Sequence, residues 1–199
     1  MKKITLMALL FVSTIAMAQK MKVIKGDFKN LKGISEYYLE FDYTNLKVDK
    51  FKTEEEFLAD KMKKRDDKEG TAEQFKENWF ADRANRYEPK FIESFNKRFD
   101  KGEVKVEKNL TNASYVMKVK TTWIYPGYNV GVMRQPAKLD ATIYIYDAAN
   151  PSKELLVVSY EKALGNGAMG FDYNSGYRIS EAYAKLAKEF AAHIKKKAK

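Results

Sequence analysis

From residue 37 to residue 44 the chain alternates. Tyr37, Leu39, Phe41 and Tyr43 fall on one side; Tyr38, Glu40, Asp42 and Thr44 fall on the other. A period of two with a mostly polar opposite face predicts a half-buried strand. The pattern returns twice. Tyr115, Met117, Val119, Thr121 and Trp123 alternate with Lys118, Lys120 and Thr122, and Leu139, Ala141, Ile143 and Ile145 alternate with Asp140, Thr142, Tyr144 and Tyr146. The segment 147–153, with Asn150-Pro151 inside it, predicts a hairpin loop, and 155–163 the returning strand. Shorter strands are predicted at 21–25 and 104–106. In this register Trp123 faces the core, while Tyr144, Tyr146, Tyr160 and Lys162 share the outer face with Lys118 and Lys120.

Elsewhere the period lengthens. Thr53-Glu-Glu-Glu56 is a capping box, which predicts a helix over 54–66. Gly70 ends it, and Thr71-Ala-Glu-Gln74 repeats the signature and opens a second helix. Phe75, Trp79, Tyr87, Phe91, Phe95 and Phe99 then recur at multiples of four and keep one helical face apolar. Pro89 interrupts that stripe and predicts a kink or restart near Glu88. A closing helix, capped by Ser180 or begun near Tyr177, carries Ile179, Tyr183, Leu186, Phe190 and Ile194 on one face. The order of elements predicts an α+β fold: a single antiparallel or mixed sheet with helices packed on one face, plus an inserted helical pair. Residues 19–199 form one domain on this reading, helical over 53–99, with strands and the closing helix over 103–199.

The N-terminus adds an address. Lys2 and Lys3 precede an uncharged apolar run from Ile4 to Ala16, which ends in Ala16-Met17-Ala18. That is the layout of a secretory signal peptide with cleavage after Ala18, and it predicts a periplasmic or secreted protein. The run is too short to span a bilayer comfortably. Export removes most nucleotide-dependent functions from contention. The chain holds no cysteine, which excludes disulfides, thiol catalysis and thiolate metal sites. Its net charge of +10 would point to nucleic acid in the cytoplasm. In an envelope the anionic neighbours are lipid head groups and acidic glycans instead, so no nucleic-acid partner is expected.

The second half resembles a known type of domain. Ala113-Ser-Tyr-Val-Met-Lys-Val reads as a strand, Ala141-Thr-Ile-Tyr-Ile-Tyr-Asp147 as a strand ending in Asp, and Ile179-Ser-Glu-Ala-Tyr-Ala-Lys-Leu as the closing helix after a hairpin. That arrangement looks like the small envelope-associated α+β domains of the curli-assembly pore protein and of the N-terminal part of the Tol–Pal translocation protein. It is also similar to secreted bacterial families of unknown function. The resemblance implies a fold and an address, and no site residues.

Candidate chemistry is thin. His193 is the single histidine, at the end of a lysine-rich helix, and reads as a surface residue; it leaves no metal site and no Ser-His-Asp triad. Gly165, Gly167 and Gly170 fit G-x-G-x-x-G but lack a helix immediately after, so no dinucleotide and no other cofactor is expected. Paired carboxylates from Glu161, Asp172 and Glu181 would suit a glycan hydrolase, although their spacing does not single them out. The better candidates are two aromatic, glycine-bearing loops, with Tyr125, Tyr128 and Arg134 in one and Phe171, Tyr173 and Tyr177 in the other. Rigid aromatics on loops anchor sugars or proteins, or fold back to cap the core. The tyrosine and lysine outer face reads as cross-strand pairing. The expected function is therefore non-enzymatic: an exported, envelope-associated protein that binds another envelope component, protein ahead of glycan. A glycan hydrolase is the alternative. An anionic membrane surface reached through Lys195–Lys199 is a third.

Overall fold

The computed structural model describes residues 20–65, 70–99, 101–166 and 173–199, so the segment read as a signal peptide lies outside the described residues. Seven strands make one mixed sheet. In chain order they are β1 (Lys20–Gly26), β2 (Glu36–Asp42), β3 (Lys47–Val48), β4 (Lys105–Glu107), β5 (Tyr115–Tyr125), β8 (Ala137–Asp147) and β9 (Asn150–Gly165). The missing numbers belong to β6 (Tyr128–Asn129) and β7 (Arg134–Gln135), which pair as a separate two-stranded ribbon. The sheet runs β1-β9-β8-β5-β2-β4, with β3 also beside β5. Its β1, β9, β8 and β5 neighbours are antiparallel, whereas β2 runs parallel to both β5 and β4. Parallel neighbours need a long crossover, and the helices between β2 and β5 supply it.

The covered face is the one the alternation predicts. Tyr37, Leu39, Met117, Val119, Ile143, Ile145, Leu156 and Val158 are all buried beneath α4 (Ser175–Lys197) and α3 (Glu88–Asn96). Ile179, Tyr183, Leu186 and Phe190 of α4 are fully buried, each contributing roughly 1.5–3 kcal/mol by removal from water. Inside this apolar layer, Thr121 Oγ1 and Tyr183 Oη lie 2.6 Å apart and satisfy each other.

The inserted helices begin with α1 (Glu54–Lys63), whose cap, Thr53, accepts from the Glu56 N–H at 3.2 Å. Glu56 reaches back one residue further than a standard capping box, accepting from the Lys52 N–H. The next helix, α2 (Thr71–Asp82), opens where expected but by another means: its N-cap is Gly70 at φ 75°, and Thr71 donates to the Arg65 carbonyl. Glu54 ties the two together. It is almost buried, accepts from Trp79 Nε1 at 2.6 Å, and takes both carboxylate oxygens to Arg83. A π-helical turn over Arg83–Tyr87 separates α2 from α3. Pro89 carries no N–H for the helical ladder, and the widened turn absorbs that loss before α3 restarts at Glu88. Arg86, on that turn, pairs with Asp82 at 2.9 Å and donates to Asn174, the N-cap of α4. Gly176 leaves room for this seat: a Cβ there would lie 2.0 Å from the Asp82 carboxylate and would push the Asp82 and Arg86 side chains aside.

Three residues lie elsewhere than the sequence reading places them. Tyr160 is buried in the core rather than on the outer face: it pairs with Ala141 and continues the alternation of Leu156 and Val158, so the period of β9 itself turns it inward. The β8–β9 pairing shifts just after it, where Lys162 takes φ 56° and donates its N–H to Asp140. A second bulge, at Thr121/Trp123, keeps Thr121 and Ile124 in the core and turns Trp123 off it; the indole N–H instead donates to the Asp49 carbonyl. His193 is half-buried rather than a free surface residue. Its ring packs beside Phe28 and Tyr160, and Nδ1 lies 2.9 Å from the Tyr160 hydroxyl. Burial, with Lys197 nearby, pushes its pKa down.

Candidate functional site

A cleft of about 450 Å³ opens where the end of β5, the start of α4 and the helical pair meet. Phe57 and Trp79 form its far wall, with ring centroids 4.8 Å apart, and Phe75 flanks both. The near wall is Tyr125, Tyr128 and Tyr173. The first closes β5, the second opens β6, and the third lies just before α4. Between them the chain turns at Pro126-Gly127. Gly127 has φ 65°, and a Cβ there would lie 2.3 Å from the Gln135 carbonyl oxygen, so the turn is open only to glycine. Arg178 holds the same turn from α4: it is almost buried and donates to the Pro126 and Gly127 carbonyls at 3.0 and 3.1 Å.

The lining is basic. Lys61, Lys64, Arg65 and Arg178 stand against Asp49, the one carboxylate among the described residues that line the cleft. Arg65 stacks over Phe75 at 4.2 Å and Lys61 over Phe57 at 5.5 Å, so cations and rings form one surface. Lys64 is partly neutralised by Asp60 at 2.8 Å. Burial, helped by Tyr128 and Asp49 and opposed by Arg178, raises the Tyr125 pKa. Its phenol therefore stays protonated at neutral pH and can donate a hydrogen bond. Aromatic faces with cations between them suit a ligand that is planar or apolar in part and carries negative charge.

The structure thus brings Tyr125, Tyr128 and Tyr173 together and leaves two other candidates apart. Arg134 lies on exposed β7 and does not line the cleft. Tyr177 sits on the first turn of α4 beneath Arg86, 4.3 Å from its ring. Phe171 lies outside the described residues, as do Asp172, Gly167 and Gly170. Of the acids named for hydrolysis, Glu181 pairs with Lys90 at 3.3 Å and Glu161 is exposed on β9 beside the bulge. Neither lines the cleft. The helical wall escaped the sequence reading, although a signal was there: Phe57, Lys61 and Lys64 follow i, i+4, i+7 spacing and share one face of α1.

The outer sheet face uses its polar groups internally. Lys118 approaches Glu40 at 3.4 Å, Tyr146 donates to the same carboxylate at 3.0 Å, and Lys120 approaches Asp42 at 3.7 Å. At the other end of α4, Lys195 lies over Phe99 and Lys197 over Phe28. No helix among the described residues is long and apolar enough to cross a membrane. No protein-family model, curated protein or solved structure matches the chain.

Proposed function

We propose that this is an exported, envelope-associated protein that binds another envelope component through the cleft, with a protein segment favoured over a glycan as occupant. The address rests on the leader at 1–18, cleaved after Ala18, and on the resemblance of the second half to envelope-associated α+β domains. The observation that carries the binding role is the convergence of Tyr125, Tyr128 and Tyr173, from loops some fifty residues apart, on one concave basic surface. An acidic segment with an aromatic or apolar side chain would match both the rings and the cations. The preference for protein follows from the far wall: Phe57, Phe75 and Trp79 beside Lys61 and Arg65 suit an apolar side chain flanked by carboxylates, a combination that an acidic peptide carries. A hydrolase draws less support, because general acid and base require two facing carboxylates.

The test is a photocrosslinker placed at Tyr173, which is 71 % exposed, in cells expressing the tagged chain. A discrete envelope protein captured from Tyr173, and not from a crosslinker at Tyr144 on the outer face, is the expected result. Equal capture from both positions would contradict the cleft. Crosslinks to cell-wall fragments alone would replace the protein partner with a glycan.

A further inference from the structure

Between β5 and β8 the chain makes an excursion that adds nothing to the main sheet. β6 and β7 pair only with each other, and their tip carries Val130, Val132 and Met133 at 65 %, 94 % and 58 % exposure. Three large apolar side chains held in water on one tight turn incur a cost that a monomer in isolation gains nothing from. The Val130 N–H donates to the Met133 carbonyl, the Val132 N–H to the Val130 carbonyl, and the Gly131 N–H to Asn129 Oδ1. Three of the four N–H groups of residues 130–133 are thus held within the hairpin, which lowers the cost of moving the apex out of water.

Charge completes the pattern. Residues 126–138 contain no acid and two cations, Arg134 and Lys138. Lys61, Lys64 and Arg65 line the same cleft as Tyr125, Tyr128 and Tyr173, at whose edge Tyr128 opens the hairpin. An apolar apex, a belt of tyrosines and a collar of cations are the features of interfacial binding to an anionic bilayer, where apolar insertion and head-group attraction must act together. We infer that the 128–135 hairpin docks this protein on an anionic lipid surface, its apex among the acyl chains and the cleft mouth at head-group level. The terminal lysines do not take part in the same contact: they lie at the far end of the 23-residue α4, about 34 Å away along its axis. The inference shares the cations and tyrosines of the cleft with the proposed binding role, but it is read on vesicles, where no partner is present, so the two can fail separately.

Vesicle co-sedimentation of the mature chain tests it, with phosphatidylglycerol/phosphatidylethanolamine vesicles against pure phosphatidylcholine. The account expects salt-sensitive binding to the anionic vesicles alone. Val132→Asp with Met133→Ser should weaken it by at least roughly tenfold, the factor that corresponds to one lost buried apolar side chain. Both sites are exposed, so the melting temperature should not move. Val132→Trp should shift its emission to the blue on anionic vesicles and be quenched by brominated acyl chains. Unshifted tryptophan emission, or vesicle binding that ignores the double substitution, would overturn the inference. So would loss of protein capture by the double variant without any vesicle binding, which would assign the tip to a protein groove.

Discussion

Two surfaces of this molecule are rich in tyrosine and lysine, and they behave differently. On the outer face of the sheet, Lys118 and Tyr146 both engage Glu40, and Lys120 engages Asp42. At the cleft the same residue types surround a hollow: Tyr125, Tyr128 and Tyr173 face Lys61, Lys64 and Arg65 across open space, with Asp49 as the acid among the described lining residues. Composition does not separate the two surfaces. What separates them is the balance of acids and bases. On the sheet each lysine named has its own carboxylate in register; at the cleft Lys61 and Lys64 share the single Asp60, and the cations outnumber the acids, which leaves charge for a ligand.

The contrast can be broken first at Glu54, which ties the far wall of the cleft to Trp79 and Arg83. Glu54→Ala leaves a half-sheltered guanidinium without its carboxylate. It should cost about 3 kcal/mol in denaturant unfolding, the low end for breaking a buried pair because Arg83 keeps some water. Partner capture should fall with it. A loss under about 1 kcal/mol, the value of a surface pair, would mean the wall is held otherwise. A smaller effect is expected at the rim. Gly127→Ala combines left-handed backbone with a clash against the Gln135 carbonyl, and should cost about 1–3 kcal/mol while displacing the hairpin. Amide shifts in an NMR spectrum confined to 125–138 would show that displacement; an unperturbed spectrum would refute it.

The outer face should respond weakly. Lys118→Ala removes one partly exposed ion pair and should change stability by less than about 1 kcal/mol, with capture untouched. The smallest effect is one of pH. Burial opposes the charge on Asp42, but hydrogen bonds from the Thr44 side chain and N–H, with Lys120 and Lys118, outweigh it and hold the carboxyl below its ordinary value. A depressed folded pKa stabilises the fold above the ordinary pKa, and that stability is lost as pH falls through the folded value. Unfolding midpoints should therefore drop below about pH 4, and Asp42→Asn should flatten part of that limb. An identical acid limb in the variant would show that Asp42 contributes nothing.

Much of the fold was legible because it is written locally. The alternation in β2, β5 and β8, the cap at Thr53, the restart at Pro89 and the apolar stripe of α4 are all short-range signals, and the structure carries each. The parallel placement of β2 beside β5 was not legible, since strand partners far apart in sequence leave no periodic mark. Nor were the bulges. One inserted residue reverses the facing of everything beyond it, which is why Trp123 lies off the core; Tyr160 precedes the bulge of β9, and the alternation it shares with Leu156 and Val158 already points it inward. For the cleft, the three tyrosines could be named from their loops, but the cations opposite could not. Lys61, Lys64 and Arg65 are indistinguishable from solubilising charge until α1 is folded against the end of β5.

The most direct measurement is capture by two variants side by side. One carries Tyr125→Ala, Tyr128→Ala and Tyr173→Ala; the other carries Lys118→Ala, Tyr144→Ala and Tyr146→Ala. Both are crosslinked in cells, and their melting temperatures are recorded. The account predicts that the cleft variant loses its partner at a near wild-type melting temperature, while the outer-face variant keeps the partner. Capture retained by the cleft variant, or lost from the outer-face variant without loss of stability, would contradict it.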